Sequence, residues 1–436
     1  MSQELREAAT EIFRRALEEC SISRAFSRGV RVDAGRLWVD GEEIAALDAV
    51  KRVRMLALGK AAVPMLEALM AAVPLAGRDV RGVLIAPSAP ANLPEGFEFF
   101  AGGHPSPNAE SFAGARAALA MMREAAREPE GALCVFLVSG GGSSMMELPL
   151  DETIPLEDTV EFHRALVASG ASIVEINCVR KHFSAVKGGR LAMAAGAARK
   201  MSLFVSDVPE DRLDALASGP TVPDTTTVEE CREIIRRYGM EERFPASVRE
   251  FFAGEIAETP KPGELESAEH VLLSSVELGE AARRAAEAMG FKAAIDNACD
   301  DWPYERAADY LLARVRALRR EHARVCVISC GEVTVTLPAE LPETAKGGRN
   351  QQWALYLATQ LREEDAPIAV LSGGSDGIDG NSPAAGAVVD ELTVDAGAED
   401  ALRAFSSYEY LNARGATLVT GPTGQNLRDL RIVLAA

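Results

Sequence analysis

An α/β fold in two domains is the prediction of this 436-residue sequence, and three observations lead to it. Short β-branched or apolar runs recur along the chain. Each ends in Gly, Ser or Asp and hands over to a stretch with helical spacing of apolar residues, the rhythm of βα units and a mainly parallel sheet. Near the middle, residues 253–267 (AGEIAETPKPGELES) are rich in Gly, Pro and Glu and poor in apolar side chains, which marks a linker between domains at 1–255 and 268–436. Length and composition agree. At about 150 residues per domain the chain holds roughly two to three domains, and 47% hydrophobic with 25% charged residues suits a globular chain with a large core.

In chain order, helical periodicity opens the sequence over 2–26. In the first half strands are expected at 53–58, 80–86, 97–100, 133–138 and 201–205, with helices at 110–127, 159–166 and 228–237. In the second half strands are expected at 271–275, 292–295, 325–329, 333–337, 368–371, 386–390, 417–419 and 431–434, with helices at 278–289, 303–321 and 351–363. Two α/β domains joined this way bind ligand in the cleft between them, at the carboxyl ends of strands.

Composition removes several function classes. Lys and Arg number 46 against 65 Asp and Glu, a net charge of −19, so attraction to phosphate polymers has the wrong sign and neither nucleic acid nor an anionic membrane is an expected partner. Any anion site must therefore be built locally. No run of about 18 apolar residues occurs, which excludes a helical membrane span. The first 20 residues lack the unbroken apolar core of a signal peptide, and a cytoplasmic location is expected. Seven scattered cysteines, five in or beside apolar runs, read as reduced buried thiols rather than a disulfide frame or zinc site.

The chemistry-bearing loops follow strands. SGGGSS places Ser139, Gly140, Gly141, Gly142, Ser143 and Ser144 at a strand-to-helix junction, where glycines let backbone N–H groups converge and hydroxyls add donors, the makings of a phosphate cradle. Lys60 ends the strand VRMLALGK and opens a helix. Arg180, Lys181, Lys187 and Arg190 crowd NCVRKHFSAVKGGR, a basic patch that neutralises an anionic ligand or lies solvated beside acids, and Gly188 and Gly189 after Lys187 favour the binding role. His104 sits in a rigid Gly/Pro loop and anchors it or contacts substrate.

Asp207 follows the strand run MSLFVS, with Glu210 and Asp211 close behind, and Asp376 and Asp379 lie in SGGSDGIDG. Carboxylates at glycine-rich turns suit a hydrated Mg²⁺ bridging phosphates, a proton acceptor for an attacking hydroxyl, or a simple Asx-turn. Arg349 in GGRNQQ offers a planar fork at the start of a helix, with Asn350 as its cap. Glu332 opens an alternating strand, and TGPTGQN closes the series of glycine loops. Neither GxGxxG after a strand nor GxxxxGK[ST] occurs.

Taken together, LALGKAA (56–62), GGHPSPN (102–108), VSGGGSSMMELP (138–149), NCVRKHFSAVKGGRLA (177–192), SDVPED (206–211), ASGPTVPD (217–224), GEVTVTL (331–337), GGRNQQ (347–352), SGGSDGIDG (372–380) and GPTGQN (421–426) resemble the type-II glycerate kinase family, whose C-terminal domain carries the MOFRL motif. The resemblance implies two three-layer α/β domains, a Rossmann-like N-terminal one and a smaller MOFRL one, with the active site in the interdomain cleft. It also implies transfer of the γ-phosphoryl of ATP to D-glycerate with Mg²⁺, giving 2-phosphoglycerate, by a monomer or homodimer.

Carried over by position, Lys60 and Arg349 match the family's catalytic Lys and Arg, flanking the phosphoryl group and holding the glycerate carboxylate. Ser139–Ser144 with Lys187, Gly188 and Gly189 would hold the nucleotide. Asp207 or Asp376 would organise the metal, and Asp207 also stands as a catalytic carboxylate. Two rivals remain: an NAD(P)H-dependent hydroxypyruvate reductase, a label given to members of this family, and a non-catalytic sugar-phosphate sensor. The missing dinucleotide fingerprint argues against the first, and the retained cations and Asp-bearing loops against the second.

Overall fold

The computed structural model describes residues 2–338, 340–342 and 345–436, and the side chains of Glu210 and Asp211 lie outside the description. Two compact units form: residues 25–272, and residues 1–24 together with 273–436.

In the first, the chain begins with an antiparallel meander of β1 (Val30–Asp33), β2 (Arg36–Val39) and β3 (Glu42–Ala46). Its two turns, Ala34–Gly35 and Asp40–Gly41, carry φ from 47° to 88°, the left-handed pairs that tight hairpins need. The main sheet holds β4 (Arg52–Leu58), β5 (Asp79–Ala86), β6 (Phe97–Ala101), β7 (Ala132–Ser139), β8 (Arg199–Val205) and β9 (Ala268–Leu273), in the order β6-β5-β4-β7-β8-β9. The strands from β6 to β8 run parallel. The chain works outward from β4 through β5 and β6, then returns to lay β7 on the other side of β4. That reversal is a topological switch point, and the loops leaving β4 and β7 flank it.

Alternate strand residues, Leu56, Leu58, Val83, Ile85, Phe136 and Val138, share a core with the helix Ala109–Arg127. The helix Ala62–Ala72 packs on β4, β5 and β7 with residues outside that core. Beyond the sheet, the helices Leu156–Val167, Ile173–Phe183, Val228–Arg237 and Ala246–Ala253 close around an aromatic cluster in which Phe162 lies 4.2 Å from Phe183 and 5.2 Å from Phe244, centroid to centroid.

The other unit is built on β10 (Lys292–Ile295), β11 (Val325–Cys330), β12 (Ile368–Gly374), β13 (Gly386–Asp390), β14 (Thr417–Leu418) and β15 (Asp429–Ala435), ordered β10-β11-β15-β12-β13-β14. Only β10 and β11 are parallel; the remaining pairs are antiparallel. The expected mainly parallel sheet thus holds for the first unit and not for this one. Here β12 turns into β13 through the glycine-rich residues 375–385 with no crossover helix, and a direct reversal makes antiparallel neighbours. Val325, Val327, Val370, Val389 and Val433 pack with the helices Tyr304–Arg319 and Arg349–Thr359. The intervening buried residues Cys326, Ile328, Leu371 and Ile432 face the opposite side, where the helices Ser2–Glu19 and Ser275–Ala288 lie.

These units differ from the expected boundaries at both ends. The periodic stretch 2–26 breaks at Cys20–Ser21 into Ser2–Glu19 and Ile22–Gly29, and the first helix buries Ile12, Phe13 and Ala16 against β12, β13 and β15. The segment 253–267 is fastened to the first unit: Thr259 Oγ1 donates to Asp224 Oδ2 at 3.0 Å and Asp224 N–H to the Pro260 carbonyl at 2.8 Å. The run expected at 271–275 is β9, beside β8. No strand forms at 333–337, where Thr334 makes one isolated bridge with Pro303. All seven cysteines are buried and none is in a disulfide, and no described helix is long and apolar enough to cross a membrane.

Candidate active site

At the switch point the loops after β4 and β7 interlock. Gly59 has φ +109°, and a Cβ there would lie 2.5 Å from both the carbonyl and hydroxyl oxygens of Ser139. The Ser139 hydroxyl, buried, donates to the Leu58 carbonyl at 3.1 Å and accepts from Ala61 N–H at 3.0 Å. Ser139, expected to touch phosphate, instead ties the two loops together. Lys60 is thereby aimed: its N–H donates to the Gly140 carbonyl at 2.9 Å, its side chain is exposed, and its stem passes so near Gly141 that a Cβ there would sit 3.3 Å from Lys60 Cγ. No ion pair engages its ammonium among the described residues.

Gly141, at φ +85°, starts a four-residue helix, Gly142–Met145, whose first amides have no partner within it. On one flank of the loop, Asp207 reaches Gly140 so closely that a Cβ there would sit 1.9 Å from Asp207 Oδ2. On another, Ser144 Oγ lies 3.2 Å from His104 Nδ1. Partial burial, and then the Lys60 charge, hold His104 below its ordinary range, which keeps the ring neutral. The third flank is the segment Leu216–Gly219. Ala217 and Ser218 take left-handed φ of 52° and 59°, and only the missing Cβ of Gly142 admits Ala217, whose own Cβ would be 2.6 Å away. Such paired strain in non-glycine residues gathers where surrounding structure holds it for function. Ser218 Oγ meets Ser143 Oγ at 2.8 Å and donates to Asn177 Oδ1 at 3.1 Å; Arg180 Nη1 reaches the same amide oxygen at 3.5 Å. Asn177 and Arg180 ride one face of the helix Ile173–Phe183, whose start is fixed by a Ser172–Glu175 capping box.

Lys187, Gly188 and Gly189, expected to hold the nucleotide, are engaged within the protein. Lys187 is fully buried and paired with Glu147, which also takes the His163 ring at 2.8 Å. Burial would raise the Glu147 carboxyl, but Lys187 and His163 outweigh it and hold it at about 2. The amides of Gly188 and Gly189 are consumed by the carbonyls of Ser218 (3.1 Å) and Gly219 (2.7 Å). Lys181 is likewise buried, on Asp214 and Asp224. The basic patch is therefore largely an internal brace, apart from Arg180. Sequence reading missed Ser218 and Asn177 as members of the site. Their signal was ASGP and NC within longer motifs, but the left-handed turn that brings them in leaves no compositional trace.

In the other unit Arg349 begins the helix Arg349–Thr359, and its fork is taken: Nε and Nη2 pair with Asp429 at 2.6 and 3.1 Å, and Nη2 with Glu332 at 2.7 Å. Burial works against this cation, yet the two carboxylates raise its pKa further, while burial pushes Glu332 upward. Asp379, not Asn350, caps the helix, accepting from the backbone N–H groups of Asn350 (3.0 Å) and Gln351 (2.9 Å); burial pushes it to about 6. Asp376 forms an Asx-turn to Ile378 N–H at 3.0 Å. A cavity of about 510 Å³ opens here, with Val335, Leu337, Ile378 and Phe405 in its wall and Arg349 and Asp376 among its polar members. Among the described residues no group of three or more His, Cys, Asp or Glu is arranged to hold a metal.

Two family models match successive parts of the chain. Residues 8–253 match a domain family of unknown function, DUF4147, and residues 325–429 match the MOFRL family. Glycerate 2-kinase of Pyrococcus horikoshii is 34% identical, over 100% of this chain and 98% of that protein. A protein of Agrobacterium vitis named putative hydroxypyruvate reductase is 37% identical over 86% of this chain and 85% of its own. A crystal structure of glycerate kinase from Thermotoga maritima superposes with a TM-score of 0.83 at 32% identity, each chain covered in full.

Proposed function

Since the chain belongs to the glycerate kinase family, we propose that it transfers the γ-phosphoryl of ATP to D-glycerate, yielding 2-phospho-D-glycerate with the help of Mg²⁺. The observation that supports this most is the meeting of Lys60, the glycine loop 140–144 and Asp207 at the switch point of the parallel sheet. Phosphoryl transfer asks little covalent chemistry of a protein and much positioning and charge neutralisation.

The amides of Gly141–Ser144 and the Ser143 and Ser144 hydroxyls would receive phosphate oxygens, and the Lys60 ammonium would sit on the transferring group. Mg²⁺ takes few protein ligands and keeps its waters, so one carboxylate against the loop, Asp207, fits a metal that arrives with the nucleotide better than a caged ion. When bound, that ion neutralises charge on the phosphate oxygens. Asp376, folded into its own turn, is the weaker candidate. Arg349, held in fixed orientation by Asp429 and Glu332 within the other unit, is the second catalytic cation that the family resemblance implies. His104, neutral and bonded to Ser144, orients that hydroxyl.

An ADP-release assay with D-glycerate, run beside NADH oxidation with hydroxypyruvate, tests the reading. Glycerate-dependent ADP and a 2-phosphate by ³¹P spectroscopy are expected. Oxidation of NADH without ADP release would replace the kinase with a reductase.

A further inference from the structure

We propose that Arg180 is the binding residue for the carboxylate of the acceptor substrate, held toward the glycine loop by Asn177 and Ser218. The assignment rests on the glycerate-kinase reading and adds to it a place for the acid end of the substrate.

Lys60 has its place on the transferring phosphoryl group, and the lysines of the basic patch are paired with acids. Lys187 is closed in by Glu147, Lys181 by Asp214 and Asp224, and in the other unit Arg349 by Asp429 and Glu332. Arg180 has no carboxylate within ion-pair distance among the described residues, in a chain whose acids outnumber its bases 65 to 46. Its Nε is buried without a hydrogen-bond partner, and its one side-chain hydrogen bond among the described residues, from Nη1 to Asn177 Oδ1, is long at 3.5 Å. Burial lowers the pKa of this guanidinium and the more distant Glu147 charge offsets only part of that.

A guanidinium withdrawn from water and left without an anion is unfavourable in the free protein, and a carboxylate laid against its fork in two parallel hydrogen bonds relieves that. The group remains partly exposed, so a small anion can reach it. Its position is not accidental either. The hydrogen-bonded series Arg180, Asn177, Ser218, Ser143 ends on the glycine loop, and its third member sits in the strained left-handed turn that Gly142 alone permits. A carboxylate on Arg180 would place the hydroxyl-bearing carbons of a three-carbon acid beside the loop where phosphate is expected.

Steady-state kinetics of Arg180→Met and Arg180→Lys test the assignment, with D-glycerate and its uncharged amide as acceptors. For Arg180→Met the KM for D-glycerate should rise about 30-fold or more while the KM for ATP stays within about twofold. Preference for glycerate over the amide should collapse in the same variant, an outcome that loss of a merely structural arginine would not give. Arg180→Lys keeps the charge without the fork and should show a rise of about fivefold; it is read alone should the Met variant not fold. A raised KM for ATP with glycerate unaffected would reassign Arg180 to the nucleotide and overturn the proposal, as would wild-type values for both substrates. Wild-type enzyme that releases no ADP with glycerate would fell the kinase reading itself.

Discussion

Lys60 depends on Gly59 and Ser139 for its direction, and its exposed side chain passes beside the glycine loop. Replacing it with Ala removes a cation from where charge develops, so kcat should fall by about 10²–10³-fold with the melting temperature nearly unchanged; a rate within tenfold of wild type would remove Lys60 from the mechanism. The buried Glu147–Lys187 pair answers to a different test. Glu147 is held at about 2 against an ordinary 4.5, so its contribution to stability is complete above pH 4.5 and is lost as the pH falls from there toward 2. Lys187→Met should destabilise by about 3–5 kcal/mol at neutral pH because it strands a buried carboxylate, whereas Lys187→Met with Glu147→Leu should recover much of that loss in urea unfolding. An additive double mutant would show that the two do not act as a pair. The position of Lys60 between a strand and a helix was legible in the sequence because the apolar run VRMLAL ends just before it and helical spacing begins just after. Lys187 was misread because burial and a partner 40 positions away are invisible in local spacing.

At the level of the element, the glycine loop is shaped by what each missing side chain admits: Gly140 admits Asp207 and Gly142 admits Ala217. Gly140→Ala should therefore displace the Asp207 carboxylate while leaving the strands intact. A fall in kcat of about 10²-fold with a raised requirement for Mg²⁺ is the expected result, and unchanged metal dependence would separate Asp207 from the ion. The parallel strands of the first unit were readable because buried βα strands are continuous apolar runs. The meander at 30–46 was not, since its short strands alternate like surface loops. The alternating stretch 333–337 forms no strand, because alternation shows that a strand can form and not that a neighbour offers an edge.

For the molecule as a whole, membership of two α/β units followed from rhythm and length, but their membership lists did not. A linker-like composition at 253–267 concealed side chains bonded to the first unit, and the opening helix belongs with residues far along the chain. The helix Ser2–Glu19 leaves the ribosome well before the strands that cover Ile12 and Phe13, which come after residue 273. Residues 25–272 can thus complete their own core while the opening helix waits with an apolar stripe uncovered. Nascent chains stalled at about residue 320, which leaves β9 clear of an exit tunnel that hides about 30–40 residues, should resist protease across 25–272 and be cut within the first 24 residues, and protection there should arrive only when β15 has left the tunnel. In a cell that delay makes the uncovered helix a natural stopping place for chaperones, and ties the birth of the second unit to the emergence of β15.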